Sequence, residues 1–328
     1  MDQMSLFQIT AEKEAESQSA WDGPDSSGRC SYSAYKTLRR CQSQFFYSHM
    51  MASPKAKDPL RHEAYVLKQL QSLSAWRGSL VEYGLTEFVV PYLQSGNLPP
   101  VEQVIANTLA VGRRQYNFSL RRRYRDPGVS KTANKGEFCA LFPHEYDLEV
   151  SAAELAKVGD EVRTAIENFY NRSEFLQRLS RHQWYSPKFR FFFTLGRANV
   201  QVELDLLIFR GWNQPIIVDW KVVGSEKSDY KWQMLIYALA VWRKWPEIKA
   251  GEITVLEARL LEGAIREHVI TRDKLNEAED YLYQGILEIE AVTDGKSYQE
   301  QDVEDYELAR SPNTCLYCNF RRLCLNRR

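Results

Sequence analysis

Two apolar runs rich in β-branched residues constrain this chain most. They read Val202-Glu203-Leu204-Asp205-Leu206-Leu207-Ile208-Phe209 and Ile216-Ile217-Val218-Asp219-Trp220-Lys221-Val222-Val223. Between them lies Arg210-Gly211-Trp212-Asn213-Gln214-Pro215, so the segment reads as a β-hairpin. Strand side chains alternate faces, which puts Asp219 and Lys221 on one face and Trp220 on the other. Charged groups inside such apolar strands are costly unless they are paired or bind a metal. Asp205, Asp219 and Lys221 at one sheet edge suit metal-assisted phosphodiester hydrolysis: the carboxylates hold a hard cation and the ammonium steadies water or phosphorane charge. An isolated Asp-x-Lys also occurs on solvated strands, so its meaning depends on the rest of the chain.

With 328 residues the chain can bury a large core, as one domain or two. Its formal net charge is zero, so any nucleic-acid surface must be a local patch. No apolar run is long enough for a membrane span, and the first residues lack the pattern of a secretory signal. The expected location is the cytoplasm, where six cysteines suggest metal or cluster binding rather than disulfides.

Residues 1–29 read as a flexible tail, and 30–94 as helical with a first cluster cysteine. Helical runs are expected at about 59–74 and from Gly78 to Val90. Residues 95–185 read as a mainly helical insertion. The core, 186–292, holds a strand at 189–195, the hairpin, a helix at 229–244, strands at 253–261 and 264–270, and a helix at 272–289. Residues 293–328 form a cysteine-rich end. The expected fold is a mixed α/β sheet flanked by helices. Gln233 and Tyr237 lie four apart on one helical face, where both can hydrogen-bond a phosphate, a base edge or a carboxylate. Cys315, Cys318 and Cys324 have C-x2-C-x5-C spacing, which suits an iron–sulfur cluster or zinc. Cys41 is the candidate fourth ligand, with Cys30 and Cys139 in reserve.

The ordered set Ser31/Ser33, Cys41, Asp205, Asp219-x-Lys221, Gln233-x3-Tyr237 and Cys315-x2-Cys318-x5-Cys324 resembles RecB-type nucleases of the PD-(D/E)xK superfamily. The resemblance is strongest to the iron–sulfur branch that includes the AddB C-terminal nuclease and CRISPR-associated exonucleases. It covers residues 30–90 and 185–328. It implies a restriction-endonuclease-like fold and a metal-dependent deoxyribonuclease, an exonuclease on single-stranded or end-bearing DNA in repair, recombination or defence. It further implies Mg2+ or Mn2+ held by Asp205, Asp219 and the Trp220 carbonyl, with Lys221, Gln233 and Tyr237 acting at the site. Cys41, Cys315, Cys318 and Cys324 would hold a [4Fe–4S] cluster, with zinc as the alternative. Where the family often carries a metal-binding histidine, this chain has Glu82, a carboxylate equally suited to a hard cation; His62 is the rival. Val202 stands where glycine is common. A catalytically silent DNA-binding or adaptor subunit is the alternative function.

Arg113-Arg114-Gln115-Tyr116 and Arg121-Arg122-Arg123-Tyr124-Arg125 interleave guanidinium with aromatic groups, as a DNA path requires, and Arg321, Arg322, Arg327 and Arg328 add charge near the cysteines. In the tail, Gln3-Met4-Ser5-Leu6-Phe7 resembles the peptide that docks on the bacterial β sliding clamp, with Leu6 and Phe7 as apolar anchors.

Overall fold

A computed structural model describes residues 29–211, 213–223 and 230–325. The peptide Gln3–Phe7, and Arg327 and Arg328, lie outside the described residues. In chain order the main elements are β1 (Arg29–Cys30), α1 (Tyr32–Arg40), α2 (Pro59–Lys68), α3 (Leu73–Phe88), α4 (Val101–Leu120), α5 (Ala152–Tyr170), α6 (Ser173–Leu179), β2 (Trp184–Leu195), β3 (Ala198–Phe209), β4 (Pro215–Lys221), α7 (Lys231–Lys244), β5 (Thr254–Arg259), β6 (Ala264–His268) and α8 (Arg272–Thr293). None of the described helices is long and apolar enough to cross a membrane. The chain divides into two compact units.

One unit comprises the described residues up to Tyr65, Phe191–Gln201 and those from Gly285 onward. In it β1 pairs in parallel with Asn199 and Val200 of β3. Ser31 caps α1, its hydroxyl accepting from the Ala34 amide at 3.1 Å and so satisfying one of the helix's unpaired N–H groups. The buried ring of Tyr35 lies against Gly285, where an added Cβ would meet the ring at 2.7 Å. Its hydroxyl donates to Glu288 at 3.1 Å.

The other unit comprises Val66–Arg190 and Val202–Gln284. Its sheet is mixed: β3 and β4 run antiparallel, β4 and β5 parallel, β5 and β6 antiparallel. Alternation sorts the two faces of β4. Ile216, Val218, Trp220 and Val222 join Leu206, Ile208, Leu256, Ala258 and Leu260 in a buried cluster with the apolar faces of α3 to α6. The helical stretch 95–185 therefore supplies a full layer of this core. The opposite face, carrying Asp219 and Lys221, meets α7, which packs on β4, β5 and β6. At the closest approach of α3 and α4, a Cβ on Gly84 would lie 2.3 Å from Thr108 Oγ1. That contact seats α3, which carries Glu82.

Three boundaries differ most from the sequence reading. Helix α3 begins at Leu73, because Ser72 caps it through the Ala75 amide at 3.2 Å; Gly78 lies inside it. The run at 59–74 breaks after Lys68. Strand β2 begins at Trp184 rather than at 189, since an edge strand tolerates Pro187.

Candidate active site

The hairpin register brings the expected acids together. Leu206 pairs with Val218, so one further step sets Asp205 opposite Asp219. The Trp220 amide donates to Asp205 Oδ2 at 2.9 Å. The Lys221 carbonyl accepts from the Leu260 amide at 2.8 Å and thus faces β5. Alternation then turns the Trp220 carbonyl, like its N–H, toward the side of Asp205. The Trp220 indole points away, edge-on to Phe169 and Phe175.

Asp219 is 1% exposed. Lys221 Nζ lies 2.6 Å from its Oδ2, yet that buried oxygen accepts no aligned hydrogen bond. The other oxygen accepts from Gln233 Nε2 at 3.3 Å. Gln233 is the hub on α7: its amide also donates to Tyr237 Oη at 2.8 Å, and its carbonyl accepts from Lys221 Nζ at 3.2 Å. The four-residue spacing on α7 thus links Tyr237, through Gln233, to the carboxylate. Lys221 also stands over the Tyr230 ring at 4.5 Å. Burial pushes the Asp219 carboxyl up to about 7; Lys221 opposes this, and the charges of Asp205 and Glu257 add to it. Burial, then the charges of Asp219 and Asp205, raises the Tyr237 hydroxyl well above the ordinary range, so it stays neutral.

A residue absent from the sequence reading completes the group. Lys188 Nζ contacts Glu82, lies 3.1 Å from Asp205 Oδ1 and stands 3.7 Å from Glu203 Oε1. Lys188 follows Pro187 with a left-handed backbone, φ +53°, costly for a residue with a side chain. Taking the strand from 189 left it out; a lysine beside a proline at an edge-strand irregularity was the available signal. Glu203 also accepts from Arg190 Nε at 2.7 Å. Among the described residues no three Asp, Glu, His or Cys side chains form a ready-made metal shell. Between Glu82 and Asp205 stands the Lys188 ammonium.

These groups fit a hard divalent cation. Glu82 and Asp205 already surround a positive charge, Asp219 holds a buried oxygen without an aligned partner, and the Trp220 carbonyl faces the same side. His62, on α2, has its ring 6.5 Å from that of Tyr65.

The cysteine set lies in the first unit. Cys318 is pushed up to about 11, chiefly by burial, with Cys41, Cys324 and Cys315 close enough to add to the effect. The charges of all three other predicted cysteines thus reach Cys318, but among the described residues no three cysteines close into a metal shell. Cys41 caps the turn Gln42–Phe45, its sulfur accepting from the Gln44 amide at 3.4 Å. The Tyr47 and Phe320 rings stack at 5.6 Å, bringing the two chain segments together. Cys30 and Cys139 are instead buried, and burial raises both thiols to about 12.

Two solved structures are similar at low level. One, from Eubacterium rectale and provisionally described as an exonuclease, is 15% identical with a TM-score of 0.35, over 80% of this chain and 92% of that one. The other, the protein SSO0001, is 17% identical with a TM-score of 0.27, over 56% of this chain and 78% of that one. Such scores carry no argument about function. A search of curated proteins finds no match. The profile of the PD-(D/E)XK nuclease superfamily matches residues 29–325, nearly the whole chain and every predicted site residue in the described core, and the chain belongs to that superfamily.

Proposed function

We propose that this nuclease is a divalent-metal-dependent deoxyribonuclease, an exonuclease acting on single-stranded or end-bearing DNA. The observation that carries this reading is the Asp219–Lys221–Gln233–Tyr237 network facing Asp205 at the end of the hairpin. Glu82, Asp205, Asp219 and the Trp220 carbonyl would hold Mg2+ or Mn2+. The ion supplies Lewis-acid neutralisation of the scissile phosphate and a lowered water pKa. Lys221, fixed by Gln233 and Asp219, donates to a non-bridging phosphate oxygen and stabilises the charge that develops there. Gln233 keeps that ammonium and Asp219 in one geometry, so neither must reorganise during the reaction. Lys188 would have to give up Glu82 and Asp205 for these two carboxylates to hold the ion.

End-labelled single-stranded and duplex DNA with Mg2+ or Mn2+ tests this. Cleavage by the wild type and its loss in folded Asp219→Ala and Lys221→Ala variants is expected; retained cleavage in either removes the assignment. One observation favours the second reading, a silent DNA-binding subunit: the Lys188 ammonium already sits among the acids. No cleavage of any substrate would establish it.

We propose that Cys41, Cys315, Cys318 and Cys324 hold a [4Fe–4S] cluster, a reading supported by the C-x2-C-x5-C spacing and by the electrostatic reach of the other three thiols to Cys318. Anaerobically purified protein should be brown and carry iron and sulfide; colourless protein with stoichiometric zinc would replace the cluster with zinc. The Gln3–Phe7 peptide is proposed to dock on a β sliding clamp. Equal retention of wild type and Leu6→Ala/Phe7→Ala on purified clamp would remove that partner.

A further inference from the structure

The arginine-rich end of α4 divides into two sets with different work. Arg122 Nε and Nη2 donate to the His144 carbonyl at 2.9 and 2.6 Å, and Arg122 also pairs with Asp147. Arg125 grips buried Glu145 at 2.9 and 2.6 Å, and Tyr124 Oη donates to the same carboxylate at 2.9 Å. These groups are spent on holding the fold.

In the other set the polar side chains are exposed and Phe118 lies buried beneath them. Arg114, Asn117, Phe118 and Arg121 follow i, i+3, i+4, i+7 spacing and share one face of α4. The left-handed turn at Arg122, φ +52°, then brings Arg123 back over the Phe118 ring at 5.4 Å. Together with Glu137 these residues line a cleft of 210 Å³. Arg114 and Arg121 are exposed and have no carboxylate partner among the described residues. Arg123 has only a loose 3.6 Å exposed pair with Asp126. Three guanidinium groups against one lining carboxylate leave the cleft positive on a chain of zero net charge.

Forked guanidinium donors match phosphate oxygens bidentately, and the Asn117 amide and Glu137 carboxylate can meet the polar edge of an unpaired base. A recess of this kind admits one nucleotide of a single strand. The cleft, at about 210 Å³, is on the scale of one nucleotide's sugar and phosphate rather than of a duplex. We infer that this cleft binds the sugar-phosphate backbone of single-stranded DNA, as an anchoring site sharing no residue with the Asp219 cluster. The choice of DNA rests on the deoxyribonuclease reading.

Binding is measured by anisotropy on the full chain, in chelator, with a labelled oligothymidylate, across a salt series. Arg114→Ala/Arg121→Ala should weaken binding about tenfold or more. It should also flatten the slope of log affinity against log salt by about 1.4, for two lost phosphate contacts at ~0.7 each. Arg114→Lys/Arg121→Lys should keep most of that slope while losing part of the affinity. Unchanged affinity in the alanine variant overturns the site. An equal loss on blunt duplex overturns the single-strand assignment, as does inorganic phosphate competing as well as the oligonucleotide. Because no metal is present, the result is independent of cleavage: wild-type protein that binds through the cleft yet never cuts DNA defeats the nuclease reading and leaves the cleft standing.

Discussion

Strands β4 and β5 carry the same pattern side by side, and only β4 leaves a buried carboxylate oxygen without an aligned hydrogen-bond donor. Asp219-Trp220-Lys221 lies in register with Glu257-Ala258-Arg259, acid beside acid and base beside base, on one face of the sheet. On β5 every charge is answered. Arg259, fully buried, donates to Glu257 Oε1 at 2.9 Å and to both oxygens of Glu262 at 2.7 Å. His268 Nε2 lies 3.0 Å from the other Glu257 oxygen. Burial would raise the Glu257 carboxyl, but the hydrogen bonds from His268 and Arg259 hold it below its usual range. On β4 Asp219 has a buried oxygen without an aligned donor, and its carboxyl rises to about 7. An acid-x-base strand pattern is therefore neutral as to function, and the proposed site is the strand whose acid is the less completely satisfied.

The largest effect expected from this contrast is structural. Arg259→Leu strands Glu257 and Glu262 beside the core and should cost about 3–5 kcal/mol of stability by chemical denaturation. A loss under 1 kcal/mol would show that β5 is not held by its ion pairs.

Asp219 should respond with the opposite sign. Its folded carboxyl is raised, so charging it costs stability, and that cost grows as pH rises from about 4 to about 7. Asp219→Asn removes the charge. In chelator at about pH 8 the variant should be more stable than wild type, by roughly 2–4 kcal/mol, since each pKa unit is worth 1.36 kcal/mol. The gap should close toward pH 4, where both forms are neutral. A destabilised variant at pH 8 would place Asp219 among the satisfied charges, with Glu257.

A smaller effect is expected at Lys188. Removing the ammonium from Glu82 and Asp205 in Lys188→Met should tighten Mn2+ binding by about tenfold, or ~1.4 kcal/mol, in calorimetry without DNA. Unchanged or weaker binding would mean that the ammonium does not compete for the cation position.

Much of this was legible because local rules set it. The β-branched runs and the Gly/Asn/Pro turn define the hairpin, and the hairpin defines the Asp205–Asp219 register. Helical spacing alone pairs Gln233 with Tyr237. What stayed hidden depends on distant partners or on irregular backbone. Arg122 and Arg125 read as DNA contacts, because their partners Asp147 and Glu145 lie twenty or more residues away, at and just after the end of a one-turn helix. Lys188 reaches the acids only through a left-handed residue in an edge strand. The Glu257–Arg259 pair carries no sequence signal that sets it apart from Asp219–Lys221.

The most direct test compares the two strands under one assay. Asp219→Asn and Glu257→Gln, each isostere shown to be folded, are incubated with end-labelled single-stranded DNA and Mn2+ alongside wild type. The account predicts that Asp219→Asn abolishes cleavage, whereas Glu257→Gln cuts at a rate within several-fold of wild type and loses only stability. Cleavage surviving in Asp219→Asn, or vanishing in folded Glu257→Gln, would contradict the division of labour between β4 and β5.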